Sequence, residues 1–192
     1  MTEIADLAIG ELAAYIAEHL RSKGIETVLV GGACVSIYSA NEYSSFDLDF
    51  IITGSSTRQK VRAALAEISF TEENRYFINP QTPFFVEFPS GPLAIGAEPP
   101  SEISTLLFST GNLRLLSPTD CVKDRLAAFY HWQDQQSLEQ AILIARDHNI
   151  DIEEVGRWSV NEGFAEVFEK NVSKRLSEKH EKQGSMPISN PD

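Results

Sequence analysis

Val28-Leu29-Val30-Gly31-Gly32-Ala33, followed a short stretch later by Ser45-Phe46-Asp47-Leu48-Asp49-Phe50-Ile51-Ile52, decides the fold of this chain. It reads as an apolar strand, a diglycine turn, a short helix and a second apolar strand bearing two aspartates two residues apart. Strand side chains alternate between faces, so Asp47 and Asp49 project to one side while Leu48 and Phe50 go to the other. Two carboxylates held that close repel each other unless a cation lies between them, and hard oxygen donors favour Mg²⁺ or Mn²⁺. The diglycine turn at a helix start offers backbone N–H groups to an anion such as a phosphate. A phosphate cradle beside a cation-binding pair points to nucleotide chemistry.

Outward from this segment the periodicity predicts helices over 4–23, 33–39 and 58–68 and strands over 27–30 and 46–53. A hairpin is predicted from 75–78 and 83–88, joined by Asn79-Pro80-Gln81-Thr82. Strands near 103–108 and 113–116 follow, and from Ser117-Pro118 onward the pattern is helical: 119–132, 137–148, 152–159 and 161–180. The expected fold class is α/β (α+β), a mixed sheet flanked by helices with a helical C-terminal region. The expected division is an α/β core over 1–116, a helical region over 117–182 and a disordered tail over 183–192. Phe129, Tyr130 and Trp132 are expected in a helix–helix core.

Composition narrows the function. The chain has 192 residues, 42% of them hydrophobic and 23% charged, with no apolar run long enough to span a bilayer and no secretory pattern at its start. The expected compartment is the cytoplasm. A formal net charge of −12 argues against broad, sequence-independent nucleic-acid binding, which needs Lys and Arg to neutralise phosphates. Basic residues gather only locally, as Arg58, Lys60 and Arg62, and as Lys123 with Arg125. Two cysteines, Cys34 and Cys121, are too few for a four-ligand zinc site, and packed thiols or a disulfide both fit. Serine-hydrolase, P-loop and zinc-protease motifs are absent. A dinucleotide-binding reading fits poorly, because no third glycine opens the helix and the aspartates precede Phe50-Ile51-Ile52 instead of ending that run.

The order of strand, Gly-Gly, helix and Asp-x-Asp strand resembles the signature of the polymerase-β-like nucleotidyltransferase superfamily. Ser117 to Leu126, followed by Trp132-Gln133-Asp134, is similar to a basic helix and later aspartate of its bacterial abortive-infection toxin-like members. The resemblance implies that Asp47 and Asp49 are catalytic metal ligands, joined by a third acid from a neighbouring strand. The matching residue is Glu87, whose alternative is a structural ion pair with Arg75. It further implies that Gly31, Gly32 and Ser45 adjoin the nucleotide and that Lys123 or Arg125 reaches its phosphates. Tyr43 stands where toxin-like members often have a basic residue. The implied activity is Mg²⁺- or Mn²⁺-dependent transfer of a nucleotidyl group from a nucleoside triphosphate to a hydroxyl of RNA, protein or a small molecule. The alternative is a non-catalytic nucleotidyltransferase-like binding module, such as one from a toxin–antitoxin pair. The oligomeric state is not legible in the sequence.

Overall fold

The computed structural model describes residues 3–177. A seven-stranded mixed sheet forms its centre. Its strands are β1 (Thr27–Val30), β2 (Asp47–Ile52), β3 (Thr71–Glu73), β4 (Tyr76–Ile78), β5 (Phe85–Glu87), β6 (Ile103–Phe108) and β7 (Gly111–Leu116), in the order β3-β4-β5-β2-β1-β7-β6. β1 is antiparallel to β2 and parallel to β7, β2 is parallel to β5, and the β3–β4, β4–β5 and β6–β7 pairs are antiparallel.

The helices that pack with this sheet are α1 (Ile9–Ser22), α2 (Gly32–Tyr38) and α3 (Arg58–Ala66). α1 begins later than its periodicity predicts. Ile4–Asp6 forms a separate 3₁₀ turn, and the Glu11 carboxylate accepts the Ala8 N–H at 3.3 Å, which starts the helix proper at Ile9. Its face of Leu12, Ala13, Ile16 and Leu20 is fully buried. α3 is capped by the Thr57 side chain and buries Val61, Ala64 and Leu65.

Two strand features depart from expectation. β3 was not foreseen, because Thr71-Glu72-Glu73 lacks an apolar face. It is an edge strand held by backbone pairing to β4, and its charges suit an edge that must not recruit other chains. β7 starts at Gly111 instead of 113, closing a tight hairpin with β6 through Ser109-Thr110.

The C-terminal helices are α4 (Pro118–Trp132), α5 (Gln135–Asp147) and α6 (Ile152–Asn161). They are followed by α7 (Ala165–Val167), a π-helical turn (Phe168–Ser173) and α8 (Lys174–Ser177). Ser117, Asp134 and Asp151 cap α4, α5 and α6 with their side chains. Asn161 belongs to α6 and not to the next helix, because Gly163 at φ +85 stops the chain there. Trp158 is fully buried and donates from Nε1 to the Ile95 carbonyl at 3.1 Å, while Tyr130 stacks on Phe164 at 4.6 Å. Trp132 is not in this core: it sits at the last turn of α4, before the left-handed Gln133, and is 76% exposed. Cys34 and Cys121 are free, buried thiols. Among the described residues no helix is long and apolar enough to cross a membrane. His180 and the tail 183–192 lie outside the described residues.

Candidate active site

β1 delivers the chain to Gly31, which adopts φ +73 and ψ −156, a region open essentially to glycine alone. The fit against the neighbouring strand is equally demanding: a Cβ built on Gly31 would lie 2.6 Å from Asp49 Oδ2. The Asp49 carboxylate therefore rests against the glycine turn. Gly31→Ala is expected to cost about 1–3 kcal/mol from backbone strain alone and to push Asp49 out of place. Thermal unfolding and divalent-ion titration of that variant check both effects.

Register supplies the rest of the geometry. Asp49 pairs with Val30 on β1 and with Glu87 on β5, and Asp47 pairs with Phe85. Because paired positions share a face, Asp47, Asp49 and Glu87 all project from the same side of two adjacent parallel strands. Leu48, Phe50 and Val86 on the other side are fully buried and fix that orientation.

The electrostatics match this crowding. Burial, reinforced by the charges of Asp47 and Glu87, pushes the Asp49 carboxyl up to about 6 from its ordinary 3.8, with Arg125 opposing. Burial also raises Asp47, against the pull of Arg75. Glu87 leans toward Arg75, whose Nε lies 3.5 Å from Glu87 Oε1 and whose guanidinium stands over the Tyr76 ring. The ion-pair reading of Glu87 is thus realised. As the side chains stand, no three His, Cys, Asp or Glu among the described residues are grouped closely enough to hold a metal ion. The donor set nevertheless suits a divalent cation: three hard oxygen donors share one face, and Asp49 sits in an excess of negative charge that such an ion would relieve.

Ser45 forms a tight local hydrogen-bond network. Its Oγ accepts the Asp47 N–H at 3.1 Å and donates to the Asp47 carbonyl at 3.2 Å, while its own N–H donates to Ser36 Oγ at 2.8 Å. Ser36 Oγ in turn donates to the Gly32 carbonyl at 3.3 Å. This relay clamps the start of β2 to the start of α2 and places Ser45 Oγ 3.3 Å from where a Cβ on Gly32 would lie.

The two basic residues of α4 separate. Arg125 donates from Nε to Asp124 Oδ2 at 3.0 Å and from Nη1 to Gln140 Oε1 at 3.4 Å, and its charge acts on Asp49. Lys123 is 1% exposed and faces away into a buried ion network, with Asp120 Oδ1 at 2.7 Å, Glu154 Oε1 at 3.0 Å and Ser101 Oγ at 2.9 Å. Of these two, Lys123 is taken up by that network, and Arg125 is the one whose charge acts on Asp49. On α3, Arg58 and Arg62 are bound to Glu72, which leaves them as an edge clamp onto β3. Asp124 and Tyr43 also lie beside the site. Asp124 acts electrostatically on Asp49, and Tyr43 Cε1 would lie 3.6 Å from a Cβ on Gly32.

This arrangement is the nucleotidyltransferase fold. An antigenic nucleotidyltransferase-like protein from Paracoccidioides brasiliensis superposes with a TM-score of 0.60 at 15% identity, over 88% of this chain and 91% of its own. The antibiotic-resistance factor ANT(2'')-Ia superposes in solution with a TM-score of 0.50 at 12% identity, covering 92% of this chain and 97% of its own. Its crystal structure in complex with adenylyl-2''-tobramycin gives 0.51 at 14% identity over 78% and 93%. At these identities the shared property is the fold. No protein-family model and no curated protein matches the sequence.

Proposed function

We propose that this chain transfers a nucleotidyl group from a nucleoside triphosphate to a hydroxyl acceptor, with Asp47, Asp49 and Glu87 holding Mg²⁺ or Mn²⁺. The observation that supports this best is the register Asp49–Glu87 beside a Gly31 turn on which the Asp49 carboxylate rests. The bound ion would polarise the α-phosphorus and stabilise charge on the departing pyrophosphate. Gly31 and Gly32 let the backbone approach the phosphates, Arg125 adds positive charge held in place by Asp124 and Gln140, and one of the three carboxylates takes the proton of the attacking hydroxyl. In this reading residues 1–116 form the catalytic core and the helical region over 117–182 contributes one wall of the cleft.

The second reading, a binding module without catalysis, is favoured by one observation: Glu87 is engaged by Arg75 instead of closing on the aspartates. Labelled ATP, CTP, GTP and UTP offered with RNA, protein and small-molecule acceptors separate the two. An aminoglycoside belongs in that panel because one structural neighbour was solved with an adenylylated aminoglycoside. Transfer from at least one nucleotide by the wild type, lost in Asp47→Asn/Asp49→Asn, is the expected result. Unchanged metal-dependent nucleotide binding in the double variant would overturn the site, and binding without transfer across the whole panel would favour the module.

A further inference from the structure

β6 forms one edge of the sheet, and among the described residues no other strand pairs with its outer side. The two edges are built differently. β3 is three residues long and charged, with Glu72 clamped by Arg58 and Arg62, features that keep an edge from recruiting strands. β6 is six residues long, and residues 103–113 of its hairpin contain no charged residue and no proline. The hairpin is also held in shape. Phe108 packs so closely on α1 that a Cβ at Gly10 would lie 2.6 Å from its ring, and the Ser109 and Thr110 hydroxyls donate to the Glu11 carboxylate at 3.0 Å and the Glu11 carbonyl at 2.6 Å. Alternation puts Ile103, Thr105 and Leu107 on the face turned away from α1, where Thr105 is exposed and Leu107 is 81% exposed.

We propose that β6 is the contact between two copies of this chain, paired antiparallel about a two-fold axis at Thr105. The unpaired N–H and C=O groups of an edge strand take up another extended strand, and a two-fold axis makes β6 its own complement. Charge selects a second copy. The chain carries a formal net charge of −12, so two copies repel over most of their surfaces and meet most readily where charge is absent. Side chains select the register. With Thr105 opposite the partner's Thr105, Leu107 falls opposite the partner's Ile103, and the symmetry-related pair does the same, covering apolar surface that the single chain leaves open to water. The two seven-stranded sheets then run on as one. β7 and β1 stand between β6 and the aspartates of β2, so the contact is independent of the reaction performed there.

Sedimentation of the purified wild type over a range of concentrations is expected to show a monomer–dimer equilibrium. Thr105→Lys and Thr105→Glu each set like charges opposite one another and should weaken self-association by about fivefold or more, whereas an equimolar mixture of the two should recover it as a heterodimer. Both changes fall on an exposed side chain, and thermal unfolding of the dilute proteins should match the wild type. Cross-linking reads the register directly. With oxidised glutathione, Thr105→Cys should form a disulfide-linked dimer faster than Leu107→Cys, because Leu107 faces Ile103 of the partner subunit and not its own copy. A wild type that stays monomeric at every concentration overturns the proposal, as does a dimer left unchanged by both charged variants. A mixture that fails to recover the dimer, or Thr105→Cys cross-linking no faster than Leu107→Cys, overturns the two-fold pairing at Thr105.

Discussion

Asp49→Asn should melt higher than the wild type in the absence of divalent ions, and should at the same time lose nucleotidyl transfer by on the order of 10³-fold. The two effects have one cause. Folding raises the Asp49 carboxyl from 3.8 to about 6, chiefly by burial, so the folded state prefers the protonated form. The stability associated with that proton is complete below pH 3.8 and is lost as pH rises through about 6. At pH 7.5 the ionised group is held against its preference. Replacing it with a neutral amide of the same shape is expected to return about 2 kcal/mol, or roughly 4–8 °C in a domain of this size. At pH 4 the two proteins should melt nearly together. Adding Mg²⁺ should raise the melting temperature of the wild type and leave the variant where it was, since only a ligand bound by the folded state stabilises it. Scanning calorimetry at the two pH values, with and without Mg²⁺, checks all three statements; a variant that melts lower at pH 7.5 would refute the account of Asp49.

Lys123→Met produces the largest loss of stability expected here, with little effect on the site. The Lys123 ammonium is the only partner of Asp120 Oδ1 among the described residues, and Asp120 is completely buried. The other Asp120 oxygen accepts the Glu102 N–H at 2.8 Å and the Ser117 hydroxyl at 3.2 Å, tying the start of α4 to the loop before β6. Removing the ammonium strands a carboxylate in the core, a change that costs about 3–5 kcal/mol in buried pairs. A fall in melting temperature of roughly 10 °C or more follows, and Asp120→Asn/Lys123→Met should recover part of it because no unpaired charge is left. Below the melting transition, tripolyphosphate affinity should equal that of the wild type. A loss of affinity without a loss of stability would place Lys123 at the phosphates after all.

The contrast between Lys123 and Arg125 shows where sequence reading stops. Both lie on one helix and both are cationic, and a two-residue offset turns them some 200° apart around the axis. Which of them faces the sheet depends on how α4 is rotated, and that is set by its packing against α5 and α6, not by its own pattern. The segment from Thr27 to Ile52 was legible because its information is local. Apolar runs, a turn residue and period-two alternation each constrain the backbone without help from distant residues, and β1 appears with the bounds its sequence implies. The partnership of Asp49 with Glu87 was legible only by resemblance, since strand order is a tertiary property. β3 escaped because an exposed edge strand needs no apolar face. Trp132 was misplaced because aromatic content predicts burial only while the helix continues to pack, and α4 ends at that residue.

The pairing of β2 with β5 joins two parts of the sheet that differ in how far apart they lie along the chain. The glycine turn and the two aspartates belong to one compact unit of neighbouring chain, β1-α2-β2, stitched by the Ser45–Ser36 relay. Glu87 arrives on a separate three-stranded meander, joined to β2 by a ladder of three paired positions. Closing the longer loop costs more chain entropy than closing the shorter one. Asp47 and Asp49 thus belong to a unit closed over a short stretch of chain, whereas Glu87 reaches them only through the longer closure of β5 onto β2.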